Sequence, residues 1–402
     1  MRSNTFLFRL RRAIRINLCL APAMSVFLVL SVSAQSVVYK VLHSFTGPTS
    51  DGRAPSAVLV DPDETIYGTT VEGGSAYNGT AFRLSPKGKE TVLYNFNAGY
   101  GSWPGLLLPW KGEFYGATYQ GGAYAGGAAF RLDKKGDELV LYSFPRRGTG
   151  PALSLVDENG VFYGTTDWGG LYGYGSVFKM DSSGKVTTLY SFTGGGDPQN
   201  PCCLARDAEG NLYGFTTYPL NGTVFKLDTA GTLTTLYAFT GGADGGGPSA
   251  GPILDEYGNL YGGTGVGGDL NCWPPYGCGA IFMLDASGNE KVLYSFTGPP
   301  DGQATGSLIR DEAGTFYGTT LFGGDAHCFV ADNPGCGVVF SLDASGRESV
   351  LHAFTSSPDG AWPVSVVMGV SGHLYGTTYT GGDSACDFWG WPGCGTVFKL
   401  GR

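Results

Sequence analysis

The sequence predicts an all-β fold, a seven-bladed β-propeller with four antiparallel strands per blade, closed by the N-terminal strand completing the last blade. Three observations carry this. A motif of the form LYGTT recurs seven times, with its tyrosines at Tyr67, Tyr115, Tyr163, Tyr213, Tyr261, Tyr317 and Tyr375. A GTVF-like motif and an LYSF-like motif travel with it, each also seven times, at a period of 47 to 58 residues. The order of motifs at the two ends is out of phase with the repeat, as a ring closed by strand exchange requires.

The first complete unit shows the strands in order. SAVLV (Ser56 to Val60), TIYGTT (Thr65 to Thr70), GTAFRL (Gly79 to Leu84) and TVLYNF (Thr91 to Phe96) are short runs of β-branched and aromatic residues separated by turn residues. The first joint reads Asp61-Pro-Asp-Glu here and Asp157-Glu-Asn-Gly or Asp207-Ala-Glu-Gly in other units; the third reads Asp181-Ser-Ser-Gly or Asp285-Ala-Ser-Gly. The Asp accepts from turn amides and the Gly takes the left-handed position, so both joints are hairpins. Four antiparallel strands in about 40–50 residues is the size of a propeller blade.

The ends then fix closure. The run from Val37 to Phe45 is a fourth-strand motif with no first three before it, and Gly395 to Leu400 is a third-strand motif with no fourth after it. An open solenoid would carry polar capping repeats instead. In such a ring the motif Tyr is expected to pack between blades. Its Gly is expected to admit a neighbouring blade's aromatic ring, and its Thr-Thr to suit a strand edge.

Residues 1–34 stand apart. Five arginines precede an apolar stretch ending in Val32-Ser33-Ala34, which reads as a signal peptide cut after Ala34 and leaves residues 35–402 as the propeller. No other run is long and apolar enough to span a bilayer, so no stable membrane anchor is expected after cleavage. Loss of five Arg and no acid leaves 20 basic against 34 acidic residues, a net charge of −14. That balance excludes a nucleic-acid partner. Glycine, at 68 residues, far exceeds the usual roughly 7%; with abundant aromatics it points to short strands and tight turns.

Linked in the order GTVF, Asp-x-x-Gly, LYSF, Thr-Gly-Gly and LYGTT, these motifs resemble those of the choice-of-anchor tandem repeat proteins called GloVer-containing, over nearly all of residues 37–400. The resemblance implies an exported bacterial repeat protein and brings no defined activity. Members usually carry a C-terminal anchor, and none is expected here.

Candidate functional residues gather in the loops between second and third strands and between blades, which share one face of a propeller. Cys278, Cys336 and Cys394 each precede the Gly of a GTVF-type motif, with Cys272, Cys328 and Cys386 in the same loops. The repeat register pairs them as 272–278, 328–336 and 386–394, which suits an oxidising compartment and hence secretion, extracellular or periplasmic. Cys202 and Cys203 are either a vicinal disulfide or two buried thiols. Trp168, Trp273, Trp389 and Trp391 lie in second-to-third-strand loops, and Trp103 and Trp362 in matching GSWP and GAWP segments between blades. These rings either stack on a sugar or partner protein or pack inside their own loops. Asp51, Asp197, Asp244, Asp301 and Asp359 either ring the channel mouth, where Ca²⁺ could bind, or cap turns. No other metal or cofactor is expected.

Catalytic signals are sparse. His43 and His352 replace the Tyr of LYSF, His373 lies in a hairpin on the other face, and His327 has no nucleophile or orienting acid in its pattern. The expected function is a secreted, monomeric binding module recognising a polysaccharide or a cell-surface protein. The alternative is an extracellular polysaccharide lyase or glycoside hydrolase with acids at the channel mouth.

Overall fold

A computed structural model of the protein describes residues 37–401 apart from 48, 50, 100, 146–148, 196, 197, 219, 220, 331, 332 and 389. The proposed signal segment 1–34 lies outside these residues. Among them there is no helix, and none long and apolar enough to cross a membrane.

The strands form seven antiparallel blades. Blade 1 runs from its inner to its outer strand as Arg53–Val60, Ile66–Glu72, Thr80–Leu84 and Glu90–Asn95. Blades 2 to 6 repeat this plan, with the first strand of blade 2 split into Ser102–Pro104 and Leu108–Trp110. Blade 7 is Ala361–Met368, Leu374–Thr380 and Thr396–Gly401, and its fourth strand is Val38–Ser44 from the N-terminus. The ring is therefore closed by strand exchange, as the phase of the motifs predicts. Two short hairpins, Phe329–Val330 with Asn333–Pro334 and Asp387–Phe388 with Trp391–Pro392, stand in the long loops of blades 6 and 7.

Each motif has a packing reason. The Phe of LYSF is buried and meets the Phe of GTVF in the next blade edge to face: Phe96 with Phe130 at 5.0 Å, Phe192 with Phe225 at 5.6 Å, Phe354 with Phe398 at 5.4 Å. Such pairs add about 0.5–1.5 kcal/mol beyond the area they bury. The Tyr of LYGTT packs against the aromatic preceding the next blade's Tyr, as in Tyr67 on Phe114 (4.6 Å) and Tyr115 on Phe162 (4.3 Å). In blades 3 to 6 its hydroxyl donates to the Asp of its own hairpin, as Tyr213 does to Asp207 at 3.1 Å and Tyr261 to Asp255 at 3.0 Å. One Asp thus caps the turn and anchors the Tyr; its other oxygen accepts from turn amides, such as Asn211 N at 2.7 Å.

Two sequence expectations change. The Gly of LYGTT makes room chiefly for a ring of its own blade: a Cβ on Gly68 would lie 2.7 Å from Phe82 Cζ, its register partner, and one on Gly116 2.5 Å from Phe130 Cζ. The Thr pair is not at an edge but buried in the second strand, where Thr70 Oγ1 meets Thr80 Oγ1 at 2.9 Å and Thr377 Oγ1 donates to Ser56 O across the blade 7–blade 1 junction at 2.6 Å.

Candidate functional site: an aromatic cleft at the channel mouth

The inner strand of every blade begins with one residue in the left-handed region: Ala54 (φ 53°), Trp103 (58°), Gly150 (56°), Asn200 (54°), Gly247 (58°), Ala304 (59°) and Trp362 (56°). The amide explains the turn. Ala54 N donates to Cys394 O of blade 7 at 2.9 Å, and Trp103 N, Ala304 N and Trp362 N likewise reach Asn78 O, Cys278 O and Cys336 O of the preceding blade at 3.1, 3.0 and 3.0 Å. The following Pro then lies against the Gly of GTVF, where a Cβ on Gly395 would sit 2.5 Å from Pro55 Cδ. Glycine adopts this conformation freely; a Cβ-bearing residue there costs about 1 kcal/mol. Two of the seven places carry tryptophan, the bulkiest choice, at a position of strain of the kind that accompanies functional sites.

Those two tryptophans flank blade 1, whose own residue at that place is the small Ala54. Between and around them opens a cleft of about 630 Å³, within the range of small-ligand sites. Val71 and Glu72 of blade 1, Trp103 of blade 2, Leu321 and Phe322 of blade 6, and Trp362, Val364, Tyr379 and Trp391 of blade 7 line it. Trp362 is its hub. Its ring meets Trp391 at 4.4 Å and Phe322 at 5.7 Å, both edge to face, and Tyr379 at 6.2 Å. Trp103 leans on Tyr119 at 6.2 Å and stays 40% exposed. Trp362 Nε1 is buried without a hydrogen-bond partner. Glu72 is the one charged side chain lining the cleft among the described residues, and Arg53 holds it through Nη2 at 2.6 Å and Nε at 3.1 Å. Burial, then the nearby Glu72 carboxylate, raises the Tyr379 hydroxyl above its ordinary value and keeps it a neutral donor.

The other sequence candidates fall elsewhere. Trp168 and Trp273 are about half exposed in the loops of blades 3 and 5, Trp273 paired with Tyr276 at 5.3 Å, and neither lines the cleft. Trp389 and Asp197 lie outside the described residues. Asp51 accepts from His43 Nε2 at 3.0 Å and Thr46 N at 3.2 Å. Asp244, Asp301 and Asp359 repeat this, bonded to Tyr237 (3.0 Å), Tyr294 (2.6 Å) and His352 (2.9 Å) on the outer strands and to the Thr after each motif Phe. These four acids hold inter-blade turns and point toward the outer strands. No group of three or more His, Cys, Asp and Glu among the described residues is placed for a metal ion. His327 is almost fully exposed beside Asp325.

The disulfides Cys272–Cys278, Cys328–Cys336 and Cys386–Cys394 form as the register predicts. The third closes the loop that carries Trp391 to Trp362. Cys202 and Cys203 are free thiols.

Sequence reasoning found Trp103, Trp362 and Trp391 but missed the rest of the cleft. A signal existed. The residue after the second Thr of LYGTT is Val71, Tyr119, Leu321 and Tyr379 in blades 1, 2, 6 and 7, but Asp167, Thr217 and Gly265 in blades 3 to 5. The apolar residues thus fall on four consecutive blades of the ring.

The family described as the Gloeobacter/Verrucomicrobia repeat matches residues 28–219 and 154–386. No curated protein matches the sequence. Among solved structures, the chain is similar to a streptogramin B lyase (14% identity, 91% of this chain and 97% of that one, TM-score 0.60). It is also similar to virginiamycin B lyase from Staphylococcus aureus (13% identity, 91% and 99%, TM-score 0.62). A third is the extracellular domain of a B. thetaiotaomicron protein (13% identity, 91% and 42%, TM-score 0.55). At these identities the likeness is one of fold.

Proposed function

The chain belongs to the Gloeobacter/Verrucomicrobia repeat family, and from that premise we propose that it is a secreted or periplasmic binding module that recognises a polysaccharide or a cell-surface protein through its loop face. The cleft walled by Trp103, Trp362 and Trp391 carries this reading. It breaks the repeat symmetry in one sector, and its rings are held by neighbouring blades, so little side-chain entropy is lost on binding. Flat apolar walls suit the C–H face of a sugar ring or an aromatic side chain. Three disulfides and the fold shared with an extracellular domain support export.

A second reading, an extracellular polysaccharide lyase or glycoside hydrolase, draws on Glu72 in the cleft wall. That carboxylate is already engaged by Arg53 in a two-point ion pair, which weighs against this reading.

The test is titration of the purified protein with plant and bacterial polysaccharides, with and without Ca²⁺, following tryptophan fluorescence and released sugar together. Binding without product, lost in Trp362→Ala, is expected. Product release would overturn the module reading and direct attention to Glu72; silence toward every glycan would leave the protein-partner branch, to be tested by the same fluorescence against cell-surface extracts.

A further inference from the structure

Cys202 and Cys203 stand side by side in the inner strand of blade 4, Gln199–Arg206. Successive side chains of a strand point to opposite faces, so adjacent cysteines in regular β-structure hold their sulfurs apart. Here they do not. Cys202 pairs with Phe215 and Leu204 with Gly214, which leaves Cys203 as the extra residue of a bulge. Its φ is +54°, left-handed in a residue with a Cβ. Ala57, Ser307 and Ser365 precede the corresponding Gly-paired residue in blades 1, 6 and 7, and none has a positive φ. A bulge recurs near this place in blades 1, 6 and 7, but of these four blades only blade 4 puts a left-handed residue in it. The two thiols act on each other, Cys202 raised and Cys203 lowered by its neighbour.

The remaining six described cysteines are all in disulfides. Whatever environment closes those bridges meets two adjacent thiols at a bulge, where the left-handed backbone of Cys203 breaks the alternation that would hold them apart.

We propose that Cys202 and Cys203 form a vicinal disulfide, a fourth bridge closed by the same oxidant that closes the three in the loops. The reaction is thiol–disulfide exchange with a disulfide-bearing oxidant, a protein or small molecule. The Cys203 thiolate attacks one oxidant sulfur, forming a mixed disulfide and releasing the other as a thiolate. Cys202, losing its proton, attacks Cys203 Sγ and expels the second thiolate. Two thiols thereby lose two protons and two electrons, and the oxidant disulfide is reduced to two thiols. The neighbouring Cys202 lowers the Cys203 thiol, against the opposing effect of burial, and is itself raised, which makes Cys203 the first nucleophile. The product locks the bulge and replaces two polar hydrogens by a rigid apolar ring in the inner strand.

The experiment uses the full chain purified without reductant from an oxidising compartment, in a preparation whose digest shows the three loop bridges. It is alkylated in denaturant without reductant, so that burial cannot shield a thiol. Tryptic cleavage after Lys185 and Arg206 isolates Cys202 and Cys203 in one peptide. The expected result is no alkylation of that peptide before reduction and two alkylated cysteines after it. In Cys202→Ser, the remaining Cys203 is expected to take up one label before reduction, which shows that the reagent reaches the site. Two labels in the unreduced wild type, or a bridge from this peptide to another, would overturn the proposal.

Discussion

Phe45 and Phe82 meet edge to face with ring centroids 5.2 Å apart, where the exchanged N-terminal strand packs against blade 1. Phe45 follows the strand that completes blade 7, and Phe82 lies in the third strand of blade 1. The geometry matches the six other contacts between the Phe of LYSF and the Phe of GTVF in the next blade, whose centroids lie 5.0 to 5.6 Å apart. The non-covalent seam lies inside blade 7, between Val38–Ser44 and Thr396–Gly401, and the exchanged strand that forms it packs onto blade 1 as an ordinary fourth strand does. Phe45→Ala is expected to cost about 3–5 kcal/mol, the same within error as Phe96→Ala at an ordinary junction, measured by denaturant unfolding. A much smaller loss at Phe45 would mean that the exchanged strand frays independently of the ring.

The glycine of LYGTT sits under a ring in every blade. A Cβ on Gly116 would approach Phe130 Cζ to 2.5 Å, and one on Gly318 would approach Phe340 Cζ to 2.5 Å. Both rings are fully buried and have nowhere to go. Gly116→Ala is expected to destabilise by about 1–3 kcal/mol through overpacking, and Phe130→Leu in the same chain is expected to return part of that loss. Unfolding of the double variant against both singles measures the coupling.

Most of the fold was legible because the repeat states it seven times. Motif order gave the strand order, and the unmatched motifs at Val37–Phe45 and Gly395–Leu400 gave the closure. What was not legible is contact within a blade against contact between blades. From sequence, Gly68 could admit any aromatic, and only the register of Gly68 with Phe82 assigns it to its own blade. The site was half legible. Trp103 and Trp362 are visible as odd residues in matching segments, but the cleft also needs Ala54 to be small between them and Trp391 to be returned by a disulfide loop. Those are relations around a ring, which a linear reading sees only after the repeats are stacked in register. The acids Asp51, Asp244, Asp301 and Asp359 show the converse: a periodic acid suggests a ring of charge, while each carboxylate is occupied by its own turn.

Glu90 and Glu348 open the fourth strands of blades 1 and 6, each with Oε1 buried and unpartnered. Burial pushes both carboxyls up to about 7; the neighbouring Asp301 adds to this at Glu348, while at Glu90 the lowering by His43 opposes the raising by Asp51. Between the unfolded value of 4.5 and the folded value near 7, the native state binds more protons than the unfolded state. Stability therefore falls as pH rises through that window. Asp51 and Asp359 act on the other side. Burial alone would raise them, but hydrogen bonds from His43 or His352 and from Thr46 or Thr355 hold them below their ordinary value. Their contribution is present above 3.8 and is lost only as pH falls through their depressed folded values. Denaturation midpoints are expected to decline from pH 4.5 toward 7, and Glu90→Gln with Glu348→Gln is expected to flatten the decline; an unchanged slope in the double variant would remove these two groups as its source.

The disulfide Cys386–Cys394 spans the hairpin that places Trp391 4.4 Å from Trp362, whereas Cys272–Cys278 closes a loop of blade 5 that does not line the cleft. Both bridges close short loops, so the chain-entropy account assigns each about 2–3 kcal/mol. Their loss should nevertheless differ in kind. Without its bridge, the blade 7 loop is free to carry Trp391 away, and the cleft loses one wall and the edge-to-face contact that steadies Trp362. Cys386→Ser with Cys394→Ser is expected to weaken cleft binding by at least about tenfold, since a displaced aromatic anchor is worth about 1.4 kcal/mol or more. Cys272→Ser with Cys278→Ser is expected to lower the unfolding midpoint by a similar amount while leaving affinity within about twofold. Equal losses of affinity in the two pairs would mean that the bridges act only through overall stability, and that Trp391 does not belong to the binding surface.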